Sequence, residues 1–354
     1  MPLRLQPMQP NPAWSLMRCV FAFEICMIHL CSAVWTQPQE GWMAETVFMS
    51  VTRTGTVGFM MLAGAILVGR RLGSTGSYLS HRFRRWMPSI LTAQALYIAY
   101  ATWVGVESFN DLTWMSTLEP AWYHIWFFYA LAMIYVMIVP MRAYDGWTQT
   151  LPPASRRFAL WAPVAGLLMV LTWLTFWRGG TWGDLQPLNL LVYFGYAWTG
   201  HVLAVSFPRG APRGWWLFAA GVAAAALATT LATVAAGKPV PHYFHRCTLF
   251  IAVAAMGQFM MLMQAQSATW SATTTDRINR VGRLTLGIFV VHPLLIAMSG
   301  WPHPWALADS MEWVSMPLAG VVLFAVSGTI TWLTLKIVAL MRGLDPLAML
   351  HRAR

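Results

Sequence analysis

Ten apolar runs of about twenty residues follow one another along this chain, near 14–36, 49–69, 87–106, 121–140, 158–177, 187–206, 215–236, 246–265, 283–301 and 316–340. A helix of that length matches the hydrocarbon thickness of a bilayer. With no water to bond the backbone there, only helices and closed barrels can span it. The loops stay within about twenty residues, which leaves no room for a soluble domain. The runs therefore predict an all-α integral membrane protein of about ten transmembrane helices, with residues 1–354 forming a single membrane-embedded domain. Composition decides against a soluble alternative: 58% of residues are hydrophobic and 10% charged, whereas soluble chains carry about 25% charged residues.

The formal net charge of +11 suggests a polyanionic partner, but the positions of the charges argue otherwise. With the N-terminus in the cytoplasm, all but four of the 23 Lys and Arg fall on the cytoplasmic side or at its boundary, the exceptions being Arg53, Arg178, Lys238 and Arg246. The acids Glu40, Glu45, Glu107, Asp111, Glu119, Asp184, Asp309 and Glu312 fall in the opposite loops. The Lys/Arg bias sets orientation, and it agrees with an even span count and both termini cytoplasmic. The basic excess is then topological, with membrane lipids or an anionic cofactor as secondary readings and no nucleic acid partner expected. The first run carries Arg18, Glu24 and His29 and no small-x-small cleavage site follows it, so it reads as a span and not as a signal peptide. Cys19, Cys26, Cys31 and Cys247 show neither metal-ligand spacing nor a disulfide framework and read as small core residues. The Ala-rich seventh run suits close helix packing. No inverted repeat of the transporter kind is visible.

Arg18 and His29 lie eleven residues apart in the first run. At 100° per residue they are about 20° beyond three full turns, so they share one helix face, with a rise of about 16 Å between them. Ionisable side chains are costly in hydrocarbon and are expected there only where they face a protein interior or a wet cavity. Glu24 lies about 240° from Arg18 and about 140° from His29, so it does not share that face. A partner on another helix, or a protonated carboxyl, is expected for it.

Further blocks appear in order. The second run reads Thr52-Arg53-Thr54-Gly55-Thr56-Val57-Gly58-Phe59-Met60-Met61-Leu62-Ala63-Gly64. Arg82-Phe83-Arg84-Arg85 and Pro88 lead into the third. The fourth reads Trp122-Tyr123-His124-Ile125-Trp126-Phe127-Phe128-Tyr129-Ala130-Leu131 and ends at Pro140. The ninth holds Leu286-Gly287-Ile288-Phe289-Val290-Val291-His292-Pro293-Leu294. This succession resembles the acyltransferase-3 superfamily of integral membrane acyltransferases, and the fourth run is similar to its enterobacterial common antigen O-acetyltransferase branch. The family's Val-Pro is replaced here by Thr56-Val57 and its serine by Ala63. The paired glutamates that other branches carry in the fourth span are absent, so acid chemistry from those branches does not transfer.

Acyl transfer to a hydroxyl needs a base for the hydroxyl proton and positive or hydrogen-bonding groups where the carbonyl oxygen gains charge. Histidine titrates in the right range for the first task. Under the expected topology His29, His124 and His292 share a depth in the middle or outer half of the bilayer, and they are the candidate catalytic residues, with His29 as general base or transient acyl carrier. Each has a packing alternative; next to Pro293, His292 is placed to satisfy freed backbone. Arg18, Arg82 and Arg85 are candidate donor-binding residues near the cytoplasmic face, and Arg53 a candidate for substrate or oxyanion. His81, His201, His242, His245, His303 and His351 read as boundary or loop residues. Trp35, Trp42, Trp86, Trp122, Trp215, Trp216, Trp301 and Trp305 read as interfacial belts.

The resemblance implies a bacterial inner-membrane O-acyltransferase with acetyl-CoA as donor substrate, no permanently bound cofactor, no metal, and a glycan or lipid-linked glycan as acceptor. A lipid or peptide acceptor is the alternative within the same chemistry. A proton-coupled transporter or flippase, with Arg18, Glu24 and His29 as an ion path, is the rival class.

Overall fold

The computed structural model describes residues 12–34, 42–70, 73–105, 124–177, 186–266, 270–299 and 312–341, and among them there is no strand. The helices are α1 (Pro12–Val34), α2 (Trp42–Thr52), α3 (Thr54–Leu67), α4 (Thr75–Val104), α5 (Trp126–Thr148), α6 (Pro153–Phe176), α7 (Gln186–Ser206), α8 (Gly214–Ala236), α9 (Leu249–Met263), α10 (Ala272–Met298) and α11 (Glu312–Met341). Every predicted apolar run coincides with helix. Among the described residues eight segments are long and apolar enough to cross a membrane: α1, α2 with α3, α5, α6, α8, Pro241–Gln266, α10 and α11. The other two runs correspond to α4 and α7. The loop acids Glu40, Glu107, Asp111, Glu119, Asp184 and Asp309, with Arg178, Trp35, Trp122, Tyr123, Trp301, Trp305, His303 and His351, lie outside the described residues.

Helix ends depart from the sequence reading in several places. α4 begins at Thr75, where the Ser74 hydroxyl accepts from Ser77 N at 3.3 Å, and it runs through Pro88. The basic block therefore occupies its first turns instead of a loop. α5 continues past Pro140 to Thr148, which places Asp145 inside the helix. There its carboxylate meets His201 Nε2 of α7 at 3.0 Å. Glu45 and Glu312 also fall in helices, in the first turns of α2 and α11, so Glu24 is not the sole acid within the membrane-length segments. The second run is split at Arg53. Around it Thr52 Oγ1 donates to Phe48 O at 2.8 Å and Thr54 Oγ1 to Val51 O at 2.7 Å. Hydroxyls that take up main-chain carbonyls in this way offer the backbone an alternative to the helix ladder.

α1 is the hub, packed against α2, α3, α9, α10 and α11. Two seams are sealed by glycine. A Cβ on Gly64 of α3 would strike the Ala197 carbonyl of α7, and one on Gly200 of α7 would strike the Met61 carbonyl of α3. Gly214 and Gly221 of α8 meet the α9 backbone at Gly257 and Ala254 in the same manner, so the expected close packing of the Ala-rich helix is observed. Such backbone approach is how helices associate where no hydrophobic drive operates between them. Cys26, Cys31 and Cys247 are buried and all four thiols are free.

Candidate active site

Three histidines from three helices converge. His29 of α1 lies with its ring centroid 5.2 Å from that of His292 of α10 and 6.3 Å from that of His124, which enters from the turn before α5; His124 and His292 are 6.1 Å apart. His124 and His292 are buried to 1% and 0% exposure, whereas His29 is half-buried. Of the three it is the most exposed.

Each ring is fixed by its neighbours. The Nδ1 of His292 is 2.9 Å from the Ile288 carbonyl, four residues back, so Nδ1–H donates there and Nε2 keeps its lone pair. The backbone-satisfying role expected beside Pro293 is thus taken by one nitrogen, and the other, buried, makes no hydrogen bond among the described residues. Phe289, one turn before, packs at 5.3 Å from His124. Tyr97 of α4 packs at 4.8 Å from His124, and its hydroxyl donates to Val290 O at 2.7 Å, closing α4 over α10. Arg53, at the α2–α3 break, is near enough to act electrostatically on His29.

The three arginines expected to bind the donor also come together. Arg18 of α1 lies within electrostatic reach of Arg82 and Arg85 on α4 and of Tyr135 on α5. The Arg82 guanidinium sits 5.6 Å from each of the rings of Tyr78 and Tyr135. Tyr78 donates to Tyr135 O at 3.2 Å and Trp86 Nε1 to Phe128 O at 3.1 Å, which docks the basic turns of α4 on α5. Trp86 therefore does more than line an interface. Burial pushes the Tyr78 hydroxyl up to about 12 against the pull of Arg82. Partial desolvation, then the fields of Arg82, Arg85 and Arg70, holds His81 below the ordinary histidine range, the signature of a concentrated positive patch.

Glu24 finds its partners on other helices. Gln258 Nε2 of α9 donates to Oε1, and Thr54 Oγ1 of α3 donates to Oε2 at 3.2 Å. It pins α1, α3 and α9 together beside the Arg53 break and stands apart from the histidines. His201 Nε2 meets the Asp145 carboxylate, and His242 Nε2 lies 2.9 Å from Thr175 O; His201 is buried within α7 and not at a boundary or in a loop. An apolar groove of about 470 Å³ between α5, α6 and α7, lined by Pro140, Tyr144, Leu167 and Trp198 among others, shares no residue with the histidine cluster.

Sequence reasoning noticed Arg246 as an exception to the charge rule but did not place it at the site. It lies in the turn between the 3-10 turn Pro241–Phe244 and α9, and its guanidinium stacks 4.2 Å from the Trp126 ring, two residues after His124. A tryptophan two residues after a candidate histidine and an out-of-place arginine were the available signals.

A family model described as an acyltransferase domain matches residues 11–334. No curated protein and no solved structure matches the chain.

Proposed function

The chain belongs to the acyltransferase-3 family of membrane acyltransferases, and from that premise we propose that it is a bacterial inner-membrane O-acetyltransferase that moves acetyl from cytoplasmic acetyl-CoA to a hydroxyl of an exported or cell-surface glycan. The observation that carries this reading is the convergence of His29, His124 and His292 in one half of the bundle, with Arg18, Arg82 and Arg85 gathered toward the other end of α1. Both termini and the arginine cluster face the cytoplasm. The arginines hold the phosphates of coenzyme A, for which guanidinium groups are suited by charge and geometry. The arm joining nucleotide to thioester then runs along α1, covering the rise of about 16 Å between Arg18 and His29.

At the outer end His29 takes the proton of the acceptor hydroxyl as its oxygen attacks the thioester carbonyl. Nε2 of His292, left with a lone pair by the Ile288 bond, stands next to the ring that becomes charged. Arg53, at the α2–α3 break, serves the substrate or the negative charge that develops on the carbonyl oxygen. When the tetrahedral intermediate collapses, the carbon–sulfur bond breaks, coenzyme A thiolate leaves with its electron pair, and the proton passes from His29 to it or to solvent. In the variant mechanism His29 carries the acetyl group between donor and acceptor.

The test compares a deletion strain carrying the wild-type protein, His29→Ala, or empty vector, with base-labile acetate on envelope and secreted glycans as readout. Acetate is expected only with the wild type, while His29→Ala reaches the membrane at normal level. Equal acetate in all three excludes a glycan acceptor and moves the search to lipid or peptide hydroxyls. Flux of an unmodified solute instead of covalent transfer supports the transporter reading.

A further inference from the structure

The turn that follows the 3-10 turn Pro241–Phe244 is held from several sides. His242 Nε2 lies 2.9 Å from Thr175 O of α6, and Leu249 N donates to Thr175 Oγ1 at 2.9 Å. Thr248 Oγ1 bonds the carbonyls of Tyr243 and His245. Tyr196 of α7 donates to the Arg246 carbonyl at 2.5 Å. Such a turn presents its side chains in one geometry. The chief side chain is Arg246, whose guanidinium stacks at 4.2 Å on Trp126 and 5.7 Å on Tyr193 and whose Nε donates to the Tyr193 hydroxyl at 2.8 Å. Stacking and a bond at Nε together fix the plane of the fork and leave its terminal nitrogens for another group. Among the described residues those nitrogens make no hydrogen bond and no salt bridge.

A second guanidinium approaches the same turn. Arg53 lies 5.5 Å from the ring of Phe244, two residues before Arg246, and its Nε is buried with no hydrogen bond among the described residues. The described salt bridges are Asp145 with His201 and Asp276 with Arg280, so neither arginine is neutralised by a carboxylate of the described chain. Two like charges in a membrane interior are costly without an opposite charge. Arginine matches carboxylate and phosphate through paired N–H···O bonds.

We propose that Arg246 and Arg53 form a receptor for an anionic group, carboxylate or phosphate, carried by the hydroxyl-bearing acceptor. The location assigns the ligand to the acceptor side: Trp126, on which Arg246 stacks, opens α5 two residues after His124. This rests on the transferase reading above and narrows it to an acidic acceptor.

The full chain in nanodiscs is titrated with three probes: tri-galacturonate, its neutral methyl ester, and glucose 1-phosphate. Wild type is expected to bind one or both anionic probes about tenfold or more tightly than the ester, the margin a charge-assisted bond supplies. Tri-galacturonate alone points to an acidic sugar, and glucose 1-phosphate alone to a phosphorylated acceptor. Arg246→Gln is expected to erase the preference, and Arg246→Lys, which keeps the charge but loses the fork and the stack, to retain only part of it. The unfolding temperature of each variant is measured alongside, and a variant that unfolds early is set aside in favour of the other. Equal binding of anionic and neutral probes by the wild type, including no binding of either, overturns the proposal, as does a preference unchanged in a folded Arg246 variant. Coenzyme A release from acetyl-CoA, followed on the same wild-type sample, tests the transferase reading independently.

Discussion

A histidine in a membrane helix is ambiguous until both ring nitrogens are accounted for. In His292 the i−4 carbonyl takes one, as the packing reading expects, and the other makes no hydrogen bond among the described residues. Glu24 goes the other way: an ionisable group on the same helix as His29 that is consumed by structure. Its carboxylate accepts from Gln258 and Thr54, and among the described residues no histidine or arginine bonds it. Removing it strands the buried Gln258 amide, at a cost of about 1–3 kcal/mol, while the Thr54 hydroxyl keeps its shorter bond to Val51 O. Glu24→Ala is therefore expected to lower the unfolding temperature of the purified protein markedly and to reduce activity through loss of folded protein. Glu24→Gln keeps an oxygen acceptor in place and should retain near wild-type turnover per folded molecule. A Glu24→Gln protein that folds normally yet releases no coenzyme A would put the carboxylate in the reaction after all.

At the scale of elements, α4 shows how a basic run becomes a site. Positive-inside retention alone would account for Arg82 and Arg85, but the helix that carries them starts early and docks on α5 through Tyr78 and Trp86, which brings them to Arg18. Arg82→Ala with Arg85→Ala is expected to raise the acetyl-CoA KM at least tenfold with little change in kcat, since two phosphate contacts are lost and the reacting atoms are not touched; an unchanged KM would leave those arginines to topology. His81 adds a pH signature. Partial desolvation and the surrounding arginines depress its pKa in the free protein, and bound phosphates offset the arginine field, so the pKa rises on binding. A proton is then taken up with the donor, and donor affinity strengthens as pH falls through the region below the ordinary histidine value near 6.5. His81→Ala should flatten that dependence in donor-binding titrations. The helices themselves were legible because twenty apolar residues admit little else, and the α8–α9 seam was foreshadowed by small residues in the Ala-rich run, whereas the α3–α7 seam at Gly64 and Gly200 was not. Helix ends were not: proline at 88 and 140 predicts boundaries from local backbone chemistry, and neighbouring helices override it. Arg246 stayed out of view for a related reason, since its partners Trp126 and Tyr193 come from distant parts of the chain and no local spacing announces them.

For the whole molecule, the consequence of the layout is sidedness. Along α1 the arginine cluster and the histidine cluster are separated by about 16 Å, half the thickness of a bilayer core, so under the proposed function one helix face would connect a donor end to an acceptor end. A soluble enzyme would bring both substrates to a single mouth. On the proposed function, the positive patch at one end and the half-buried His29 toward the other predict substrates that arrive from opposite compartments. Acetyl-CoA is polyanionic and does not cross lipid, so its side of entry can be controlled. In sealed inside-out vesicles, which expose the cytoplasmic face, radiolabelled acetyl-CoA added outside should acetylate acceptor trapped in the lumen and release coenzyme A to the outside. Intact right-side-out vesicles should remain unlabelled until detergent opens them. Equal labelling of intact vesicles of both orientations would place donor and acceptor on the same face and remove the trans-bilayer route, while leaving the histidine chemistry to be judged by the His29→Ala comparison alone.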